Sequence, residues 1–343
     1  MMNKDQEKRI LLSHGSGGKM MHDLIAGLFR EKFSNEMLDR LSDSAILSGV
    51  STKERELCFT TDSYVVNPIF FLGGDIGKLA VCGTINDLAV EGAIPLYLSC
   101  GMIIEEGLEY KTLEKIVNSM ARIAQETGVK IVTGDLKVVE KNKADKIFIN
   151  TAGIGLRKKG LHLGKEYITI GDKILINGTL GDHGIAVLTA RGIFQLETDI
   201  RSDCAALTPL IQDILNLSDQ VKFMRDPTRG GLATTLNEIV SGGSSGIEIH
   251  EQDLPIKEET KAACELLGFD PLFLANEGKA VIIADARDAD KILERMKKHP
   301  LGKDSRMIGE VVPDPQGKVV MRTGIGSHRI IDMLVGEQLP RIC

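Results

Sequence analysis

The spacing of hydrophobic and polar residues predicts alternating strands and helices from residue 45 to about residue 156. Between residues 110 and 127, apolar side chains recur at intervals of three and four, which puts them on one face of a helix that Gly128 closes. Apolar runs such as 56–66 indicate strands between the helices. The predicted elements are strands at 56–66, 95–104, 130–139 and 146–155 and helices at 75–92 and 110–127.

A patch rich in glycine and lysine, residues 157–164, is the best candidate for a domain boundary. The alternation resumes after it, so both halves are predicted to be mixed α/β units of similar size. Two short apolar runs, 307–312 and 318–321, flank Pro313-Asp314-Pro315-Gln316-Gly317, and we expect them to form a β-hairpin. The other predicted elements are strands at 173–177, near Ile247 and at 279–284, and helices at 183–191, 207–217, after Gly230-Gly231, at 257–267 and at 288–298.

Composition and charge exclude several classes of function. The chain has 343 residues, enough for two domains, because single cores rarely exceed about 250–300 residues. The net charge of −6 and the aromatic content of 4% provide neither a basic surface nor stacking platforms, so no nucleic acid partner is expected. No apolar run is long enough to span a membrane, and the charged residues 1–9 do not resemble a secretion signal. The 36 glycines predict tight turns and close backbone approaches.

Six cysteines are scattered along the chain without a C-x-x-C pair. This pattern indicates neither a zinc site nor a disulfide framework, and it favours a reducing, cytoplasmic location. Cys343 differs from the others because it is the last residue. A thiol on a tail can act as a nucleophile or as a carrier between sites, although a terminal cysteine can equally be an incidental exposed residue.

Four aspartates share a setting that suggests a metal–phosphate site. Asp62, Asp87, Asp135 and Asp226 lie beside glycine or threonine, most of them after a predicted strand. Carboxylates in this setting can bind Mg²⁺ together with the phosphates of a nucleotide. Each aspartate alone fits a helix N-cap or a turn at least as well, and only the recurrence favours the metal.

Two further charged residues and one loop are candidates for chemistry. Lys137 and Glu277 are single charges in apolar or glycine-rich stretches. They could act as acid and base if folding brings them together, and a surface ion pair is the alternative. Residues 15–19 (Gly-Ser-Gly-Gly-Lys) lack Walker A spacing. They could present backbone amides to an anion, unless they form a flexible loop.

Six segments, in order along nearly the whole chain, resemble the HypE family of hydrogenase expression/formation proteins, which belongs to the AIR-synthase (PurM-like) superfamily. The pairing of RDPTRGGLA with a terminal PRIC is the most specific part of the resemblance. Leu136 stands where the family more often has threonine, and Lys19 stands where it often has arginine, which keeps the charge but not the bidentate geometry. The segments are LSHGSGGKMMHDLI (12–25), TTDSYVVNPIFFLGGDIGKLAVCGTINDLAVEGA (60–93), GDLKVVE (134–140), RDPTRGGLATTLNE (225–238), ANEGK (275–279) and PRIC (340–343).

The resemblance implies an ATP-dependent carbamoyl dehydratase. Such a protein receives a carbamoyl group on its C-terminal cysteine, here Cys343, from a HypF-type carbamoyltransferase. It uses ATP and Mg²⁺ to dehydrate the thiocarbamate to a thiocyanate. The cyanide then passes to iron on a HypC–HypD complex, on the way to the metal centre of [NiFe]-hydrogenase.

The fold implied by the resemblance is α+β (mixed α/β), with two PurM-like domains in a homodimer. The N-terminal domain contributes strands to a dimeric β-barrel, and ATP occupies a cleft at the domain and dimer boundary. The regions are a glycine-rich segment and helix at 1–42, the N-terminal ATP-binding domain at 43–158, the C-terminal α/β domain at 165–323, and a flexible tail with Cys343 at 324–343.

Matching the family's motifs assigns roles to individual residues. Asp62, Asp87 and Asp226 are expected at the metal. Lys137 and Glu277 are expected to position and deprotonate the carbamoyl nitrogen. The nucleotide site is expected to include Asp43, Asp135 and Asn237 or Glu238, with Lys19 and Arg229 on phosphates, while Pro340, Arg341 and Ile342 thread the tail that brings Cys343 to the γ-phosphate.

Two other hypotheses remain open from the sequence. Another PurM-like enzyme, similar to selenophosphate synthetase or thiamine-phosphate kinase, would use ATP on a free small molecule and would need no terminal cysteine. A non-catalytic scaffold would use its tail only to dock maturation partners. The PRIC tail favours the dehydratase over the first alternative, and chemistry at Cys343 separates it from the second.

Overall fold

A computed structural model describes residues 18–29, 32, 38–47, 52–192 and 198–334. Residues 15–17 of the glycine-rich loop, Pro340, Arg341 and Ile342 of the tail and the candidate carrier Cys343 lie outside the described residues. The helices are α1 (Lys19–Leu24, continued by a π-helical stretch at Ile25–Phe29), α2 (Ile76–Val90), α3 (Tyr110–Thr127), α4 (Asp182–Ala190), α5 (Thr208–Leu217), α6 (Gly231–Val240), α7 (Glu258–Leu267) and α8 (Ala286–Lys298). The strands are β1 (Ala45–Leu47), β2 (Arg55–Tyr64), β3 (Phe70–Phe71), β4 (Gly74–Asp75), β5 (Ala93–Glu105), β6 (Lys130–Val139), β7 (Ile147–Lys158), β8 (Lys173–Ile176), β9 (Val221–Arg225), β10 (Gly246–His250), β11 (Val281–Ala284), β12 (Arg306–Val312), β13 (Val319–Arg322) and β14 (His328–Ile331).

The first half of the described chain builds a five-stranded sheet in the order β1-β2-β7-β5-β6. Its pairs are antiparallel except for β5 and β6, which run parallel because helix α3 crosses between them. β2 and β7 pair along their whole shared length, from Arg55 opposite Lys158 to Tyr64 opposite Ile149. This long ladder of paired residues fixes the position of the end of β2 relative to the helices, and Asp62 lies at that end.

Helices α2 and α3 are buried to different extents. α3 is amphipathic as predicted: Ile116, Met120 and Ile123 are buried, and Gly128 ends the helix in the left-handed conformation that glycine favours. The sequence predicts an apolar side on α2, but the structure buries this helix nearly all round. Residues of α2 share core clusters with residues of the second half, so one continuous core joins the two halves across this helix.

The edge of this sheet at β6 is exposed and apolar. None of the residues of β6 is buried, and Val132, Leu136 and Val138 are 58%, 55% and 64% exposed. The neighbouring β5 exposes Tyr97 and Ile103 as well. A long apolar edge strand is typical of a surface that pairs with another chain.

The second half of the described chain forms a seven-stranded sheet in the order β14-β13-β10-β12-β8-β11-β9. On β8, an interior strand of this sheet, Ile174 and Ile176 belong to the same core cluster as Leu232 of α6, whereas Leu175 belongs to that of Leu210 of α5. Both faces are therefore covered by helices, and the mixed α/β fold class predicted from the sequence is confirmed. Among the helices of the described residues, none has the length and apolar character of a bilayer crossing.

The β-hairpin expected around residues 313–317 is wrong. β12 and β13 both pair with β10, which lies between them, antiparallel to β12 and parallel to β13. The connection bends around the start of β10, where Ile247 donates its amide to the carbonyl oxygen of Lys318. Gly246 permits this close approach, because a side chain there would overlap the carbonyl oxygen of Pro315. Proline and glycine mark the turn correctly, but a strand inserted from earlier in the chain leaves no local signal.

The chain that leads to the tail is held in place up to Leu334. β14 pairs antiparallel with β13 across a turn at 323–327, so part of the expected tail belongs to the sheet. Lys19 donates its amide to the carbonyl oxygen of Leu334 at 2.9 Å, and Asn237 of α6 donates to the carbonyl oxygen of Ile331 at 2.8 Å. The start of α1 and the base of the tail therefore lie side by side.

Candidate active site

A pocket between the two halves collects five of the residues expected in the site. Its empty volume is about 630 Å³. Asp62 and Asp87 line it from the first half of the chain, and Asp226, Arg229 and Glu277 line it from the second. Residues that are far apart in the sequence thus meet where β2 and α2 approach the loops that follow β9 and precede β11.

Strand β2 and helix α2 position the two aspartates of the first half. Thr60 donates its hydroxyl to Asp87 at 2.8 Å and so orients that carboxylate. Asp62 follows two residues later on the same strand, and alternation along the strand puts it on the same face as Thr60. Gly83 lies one turn before Asp87, and a side chain there would overlap the hydroxyl of Tyr64, which also lines the pocket.

Three side chains from the second half complete the wall of the pocket. Asp226 directly follows β9, and Arg229 comes just before α6. The chain turns into α6 through Gly230 and Gly231, whose φ angles of 78° and 60° favour glycine. The positive end of the helix dipole consequently lies beside Arg229, an arrangement that favours anions. Glu277 comes from the loop before β11.

Burial and mutual repulsion disfavour the ionised forms of the carboxylates in this pocket. Burial, with the charges of Asp226 and Asp62, raises the pKa of Asp87 well above its usual range. Burial, with the charge of Asp43, raises the pKa of Asp226 to about 8. Burial and the charge of Asp226 also raise the pKa of Glu277 well above its usual range. A cation in the pocket would relieve this repulsion.

The three aspartates suit a magnesium ion that also binds phosphate oxygens. Among the described residues, no group of three or more His, Cys, Asp and Glu side chains is arranged to hold a metal by itself. Mg²⁺ does not require such a cage, because it commonly binds one or two carboxylates together with water and substrate phosphates. Asp62, Asp87 and Asp226 supply hard oxygen ligands whose mutual repulsion a divalent cation would offset.

Arg225 organises the region next to the pocket, a role that the sequence did not predict. Its guanidinium pairs with Asp43 at 2.9 Å and with Glu238 of α6. Glu238 also pairs with His22 of α1 at 2.7 Å. Asp43, α1 and α6 are thereby tied to the residue directly before Asp226. A charged residue at the end of an apolar run, beside a candidate ligand, is the signal that could have revealed it.

Besides Asp43 and Glu238, four more expected site residues lie outside this pocket. Lys137 and Asp135 are on the exposed edge strand β6, where their side chains pair with each other at 2.6 Å. Lys19 forms an exposed ion pair on α1, and Asn237 bonds the base of the tail. Within one chain, the structure therefore does not bring Lys137 to Glu277.

Comparison with known proteins finds relatives over nearly the whole chain. Residues 41–157 match the family described as AIR synthase related protein, N-terminal domain, and residues 169–322 match the corresponding C-terminal domain. The chain is 50% identical to the carbamoyl dehydratase HypE of Bradyrhizobium diazoefficiens, over 97% of this chain and 95% of that protein. A chain of a solved HypE–HypF complex is 48% identical, with a TM-score of 0.85 and coverage of 91% of this chain and 99% of that one. A structure of HypE in complex with ATP is 44% identical, with a TM-score of 0.81 and coverage of 98% and 100%.

Proposed function

Because the chain belongs to the HypE family of carbamoyl dehydratases, we propose that it uses ATP to convert an S-carbamoyl group on its own Cys343 into a thiocyanate. One observation carries the proposal beyond family membership. Three aspartates, an arginine beside a helix N-terminus and a buried glutamate line a single pocket between the two halves. This is the set of groups that phosphoryl transfer followed by deprotonation requires.

The proposed reaction removes one molecule of water from a thiocarbamate. The carbamoyl oxygen attacks the γ-phosphorus of ATP, and the bond between that phosphorus and ADP breaks. Two protons leave the carbamoyl nitrogen, one to a base of the protein and one to water, the C–O bond breaks as inorganic phosphate departs, and a C≡N bond remains on the sulfur. Phosphorylation is needed because an amide oxygen is otherwise a very poor leaving group.

We assign the phosphate-binding role to Arg229 and the metal-binding role to the three aspartates. The guanidinium of Arg229 can bind two phosphate oxygens at once, and the N-terminus of α6 adds positive potential beside it. Asp62, Asp87 and Asp226 would hold Mg²⁺, which neutralises charge on phosphate oxygens. A cation in the pocket would favour the ionised forms of these aspartates, which burial and mutual repulsion otherwise disfavour, so the pocket selects for a ligand that brings a cation.

Glu277 is the base in this proposal. Burial and the charge of Asp226 raise its pKa, so its ionised form accepts a proton more readily than an exposed glutamate does. Positive charge entering the pocket stabilises that ionised form. Glu277 can then take a proton from the carbamoyl nitrogen while the oxygen is being transferred to phosphate.

We also propose a homodimer formed through β6, in which Lys137 and Asp135 reach the site of a second copy. The exposed apolar residues of β6 support this pairing, since an unprotected edge of this kind otherwise promotes aggregation. The separation of Lys137 from Glu277 within one chain supports it as well. Lys137 would then orient the carbamoyl group across the dimer boundary.

The chemistry requires a donor and an acceptor of the carbon–nitrogen unit. A HypF-type carbamoyltransferase would load Cys343, in line with the complex that a HypE relative forms with HypF. A HypC–HypD complex would receive the cyanide. Cys343 must remain a free thiol to be loaded, so we assign these steps to the reducing cytoplasm.

The mass of the C-terminal peptide tests the proposal directly. The protein is carbamoylated by a HypF-type enzyme with its carbamoyl donor, separated from enzyme and nucleotide, and incubated with Mg-ATP or with Mg²⁺ and a non-hydrolysable ATP analogue. We expect the peptide to lose one water with ATP and to stay unchanged with the analogue. A carbamoyl peptide that persists with ATP would contradict the dehydratase.

A variant at the carrier residue separates the alternatives. Cys343→Ala should fail to gain the carbamoyl group and should bind ATP as the wild type does. If this variant still turns over ATP with a free small-molecule acceptor, the protein is a PurM-like enzyme of another specificity. If wild-type protein binds its partners while the carbamoyl group never changes, the protein is a scaffold.

A further inference from the structure

The peptide backbone at Glu277 is held by a carboxylate that does not line the pocket. Asp203 accepts the amide hydrogen of Glu277 at 3.0 Å through one oxygen. Its other oxygen accepts two hydrogen bonds, one from the amide of Gly278 at 3.3 Å and one from the ammonium of Lys279 at 2.9 Å. One side chain thus contacts three consecutive residues of the loop that carries the candidate base.

The loop that carries Glu277 and the segment of Asp203 lie close together, and the side chains between them are shielded from solvent. The side chains of Asp203 and Lys279 are only 5% and 9% exposed. A side chain at Gly278 would overlap the carbonyl oxygen of Asp203, so only glycine allows the two backbones to come this near. Burying an ion pair costs desolvation energy that the pairing often fails to recover, so such pairs are weak evidence for stability and better evidence for fixing one arrangement.

The carbonyl side of Glu277 is held as well. Asn86 donates its side-chain amide to the carbonyl oxygen of Glu277 at 3.3 Å and to that of Ala205 at 3.0 Å, and it accepts the amide hydrogen of Leu207 at 2.8 Å. The segment after Asp203 is therefore bonded both to the Glu277 loop and to α2. With the amide and the carbonyl of Glu277 both engaged, the peptide units on either side of its Cα have little freedom to rotate.

We propose that Asp203 is the positioning residue for Glu277: by fixing the peptide on the amide side, it sets the direction in which the Glu277 carboxyl enters the pocket. The inference rests on the proposed function for the role of Glu277 as base. Asp203 is not among the residues that line the pocket, so its effect on the reaction passes through the loop of Glu277 and not through a contact with the ligand. A misplacement of about 1 Å at a reacting group can lower a rate by about 10²-fold.

The substitution Asp203→Asn tests this with little change in shape. Asparagine keeps one oxygen that can accept an amide hydrogen but loses the charge that holds Lys279. With protein that already carries the carbamoyl group and with saturating Mg-ATP, we expect the single-turnover rate to fall by about 10- to 100-fold while the affinity for ATP stays unchanged. Asp199→Asn, an exposed aspartate earlier on the same segment, is the matched control and should behave as wild type.

A double-mutant cycle separates positioning from a general structural effect. If Asp203 acts through Glu277, the Asp203→Asn change should cost no further rate in a Glu277→Gln background. An equal loss in both backgrounds would show that Asp203 acts independently of Glu277, and an ATP affinity that falls together with the rate would show a merely structural role. Either result overturns the proposal.

Hydrogen exchange at the Glu277 and Gly278 amides tests the positioning role of Asp203 independently of the proposed activity. Because asparagine keeps only one of the two acceptor oxygens, Asp203→Asn should speed the exchange of at least one of these two amides, whereas Asp199→Asn should leave both unchanged. If the wild type never dehydrates a carbamoyl group, the proposed function fails. The exchange rates still measure whether Asp203 holds the amides of Glu277 and Gly278. Unchanged exchange in Asp203→Asn would overturn the positioning role whatever the activity.

Discussion

The side-chain amide of Asn86 donates to the carbonyl oxygen of Glu277 at 3.3 Å, although 191 positions separate the two residues. Asn86 lies on α2 directly before Asp87, whereas Glu277 lies in the loop before β11. Any displacement of one half of the protein against the other must either carry both carboxylates along or break a buried hydrogen bond. The candidate metal ligand and the candidate base are therefore coupled through one side chain.

The substitution Glu277→Gln removes a proton acceptor and keeps the size of the side chain. We expect dehydration of the carbamoylated protein to slow by about 10²–10⁴-fold, the usual contribution of a general base. The affinity for ATP should be preserved, because Glu277 is an acidic residue and is not expected to bind the phosphates of ATP. Single-turnover mass spectrometry and an ATP titration measure the two quantities. Glu259→Gln, an exposed glutamate on α7, is the control, and an unchanged rate in Glu277→Gln would remove this residue from the mechanism.

Arg229 should contribute to nucleotide affinity through its charge and its shape. Hydrogen bonds to charged groups are worth about 1.5–3 kcal/mol, so Arg229→Ala should weaken Mg-ATP binding by about tenfold or more. Arg229→Lys should fall between the alanine variant and the wild type, since lysine keeps the charge but not the bidentate geometry. Isothermal titration with Mg-ATP measures this, with Arg322→Ala, at an exposed position on β13, as control. Equal affinities for all the variants would argue against a phosphate contact.

His183 should make the stability of the protein sensitive to acid. Its ring is buried, Nδ1 lies 2.8 Å from the hydroxyl of Ser202, and burial lowers its pKa from 6.5 to about 4. The unfolded state therefore binds more protons between pH 6.5 and about 4, so the contribution is complete above pH 6.5 and is lost as the pH falls through this window. At about 1.4 kcal/mol per pKa unit, the free energy of unfolding should decrease by about 3 kcal/mol from this group.

Urea unfolding at a series of pH values measures the effect of His183. The wild type should lose stability on acidification more steeply than His183→Asn, which cannot titrate in this range. His162→Asn, at an exposed histidine, should keep the slope of the wild type. Parallel curves for the wild type and His183→Asn would assign the acid sensitivity to other groups.

The exposed strand β6 should hold two copies of the chain together. A charge in place of Val138, which is 64% exposed, should convert the dimer to a monomer, because the carboxylate would be buried against a second copy. Sedimentation of Val138→Asp against wild type tests this. Val117→Asp on α3, where Val117 is 44% exposed, controls for the charge itself. A wild type that sediments as a monomer would contradict the proposed assembly.

Complementation distinguishes a shared site from a merely dimeric protein. Lys137→Ala and Glu277→Gln should each be inactive alone. If Lys137 serves the pocket of the other copy, a mixed dimer of the two variants contains one intact site, and mixing should restore part of the activity. Mixtures that stay inactive while mixed dimers form would place both residues in the site of a single chain.

Much of the fold could be predicted because the deciding information is local. The helix at 110–127 follows from an apolar stripe at helical spacing and a closing glycine, and its observed bounds agree. The hairpin at 307–321 could not be judged in this way. Whether two strands pair directly depends on whether a third strand, here β10, enters between them, and nothing within the two runs records that event.

The candidate site shows the same division between local and distant information. Asp62, Asp87 and Asp226 were recognisable from their motifs, and the structure brings them to one pocket. Asp203 was not recognisable, because its segment carries no motif. Its contacts arise only where it meets a loop 74 positions later in the chain. The position of Lys137 on an exposed edge likewise becomes visible only once the sheet order is known.

The hydrogen bond between Lys19 and Leu334 fixes the point from which the tail starts, and the number of residues beyond that point limits how far the tail can reach. From Leu334 the chain continues for nine residues to Cys343, and a stretch of that length spans at most about 30 Å. A thiol restricted to such a sphere has an effective concentration on the order of millimolar around its own anchor. If Cys343 is the carrier, as proposed, the length of the tail balances two demands: a longer tail would reach partner proteins more easily, and it would lower the effective concentration of the thiol at its own pocket.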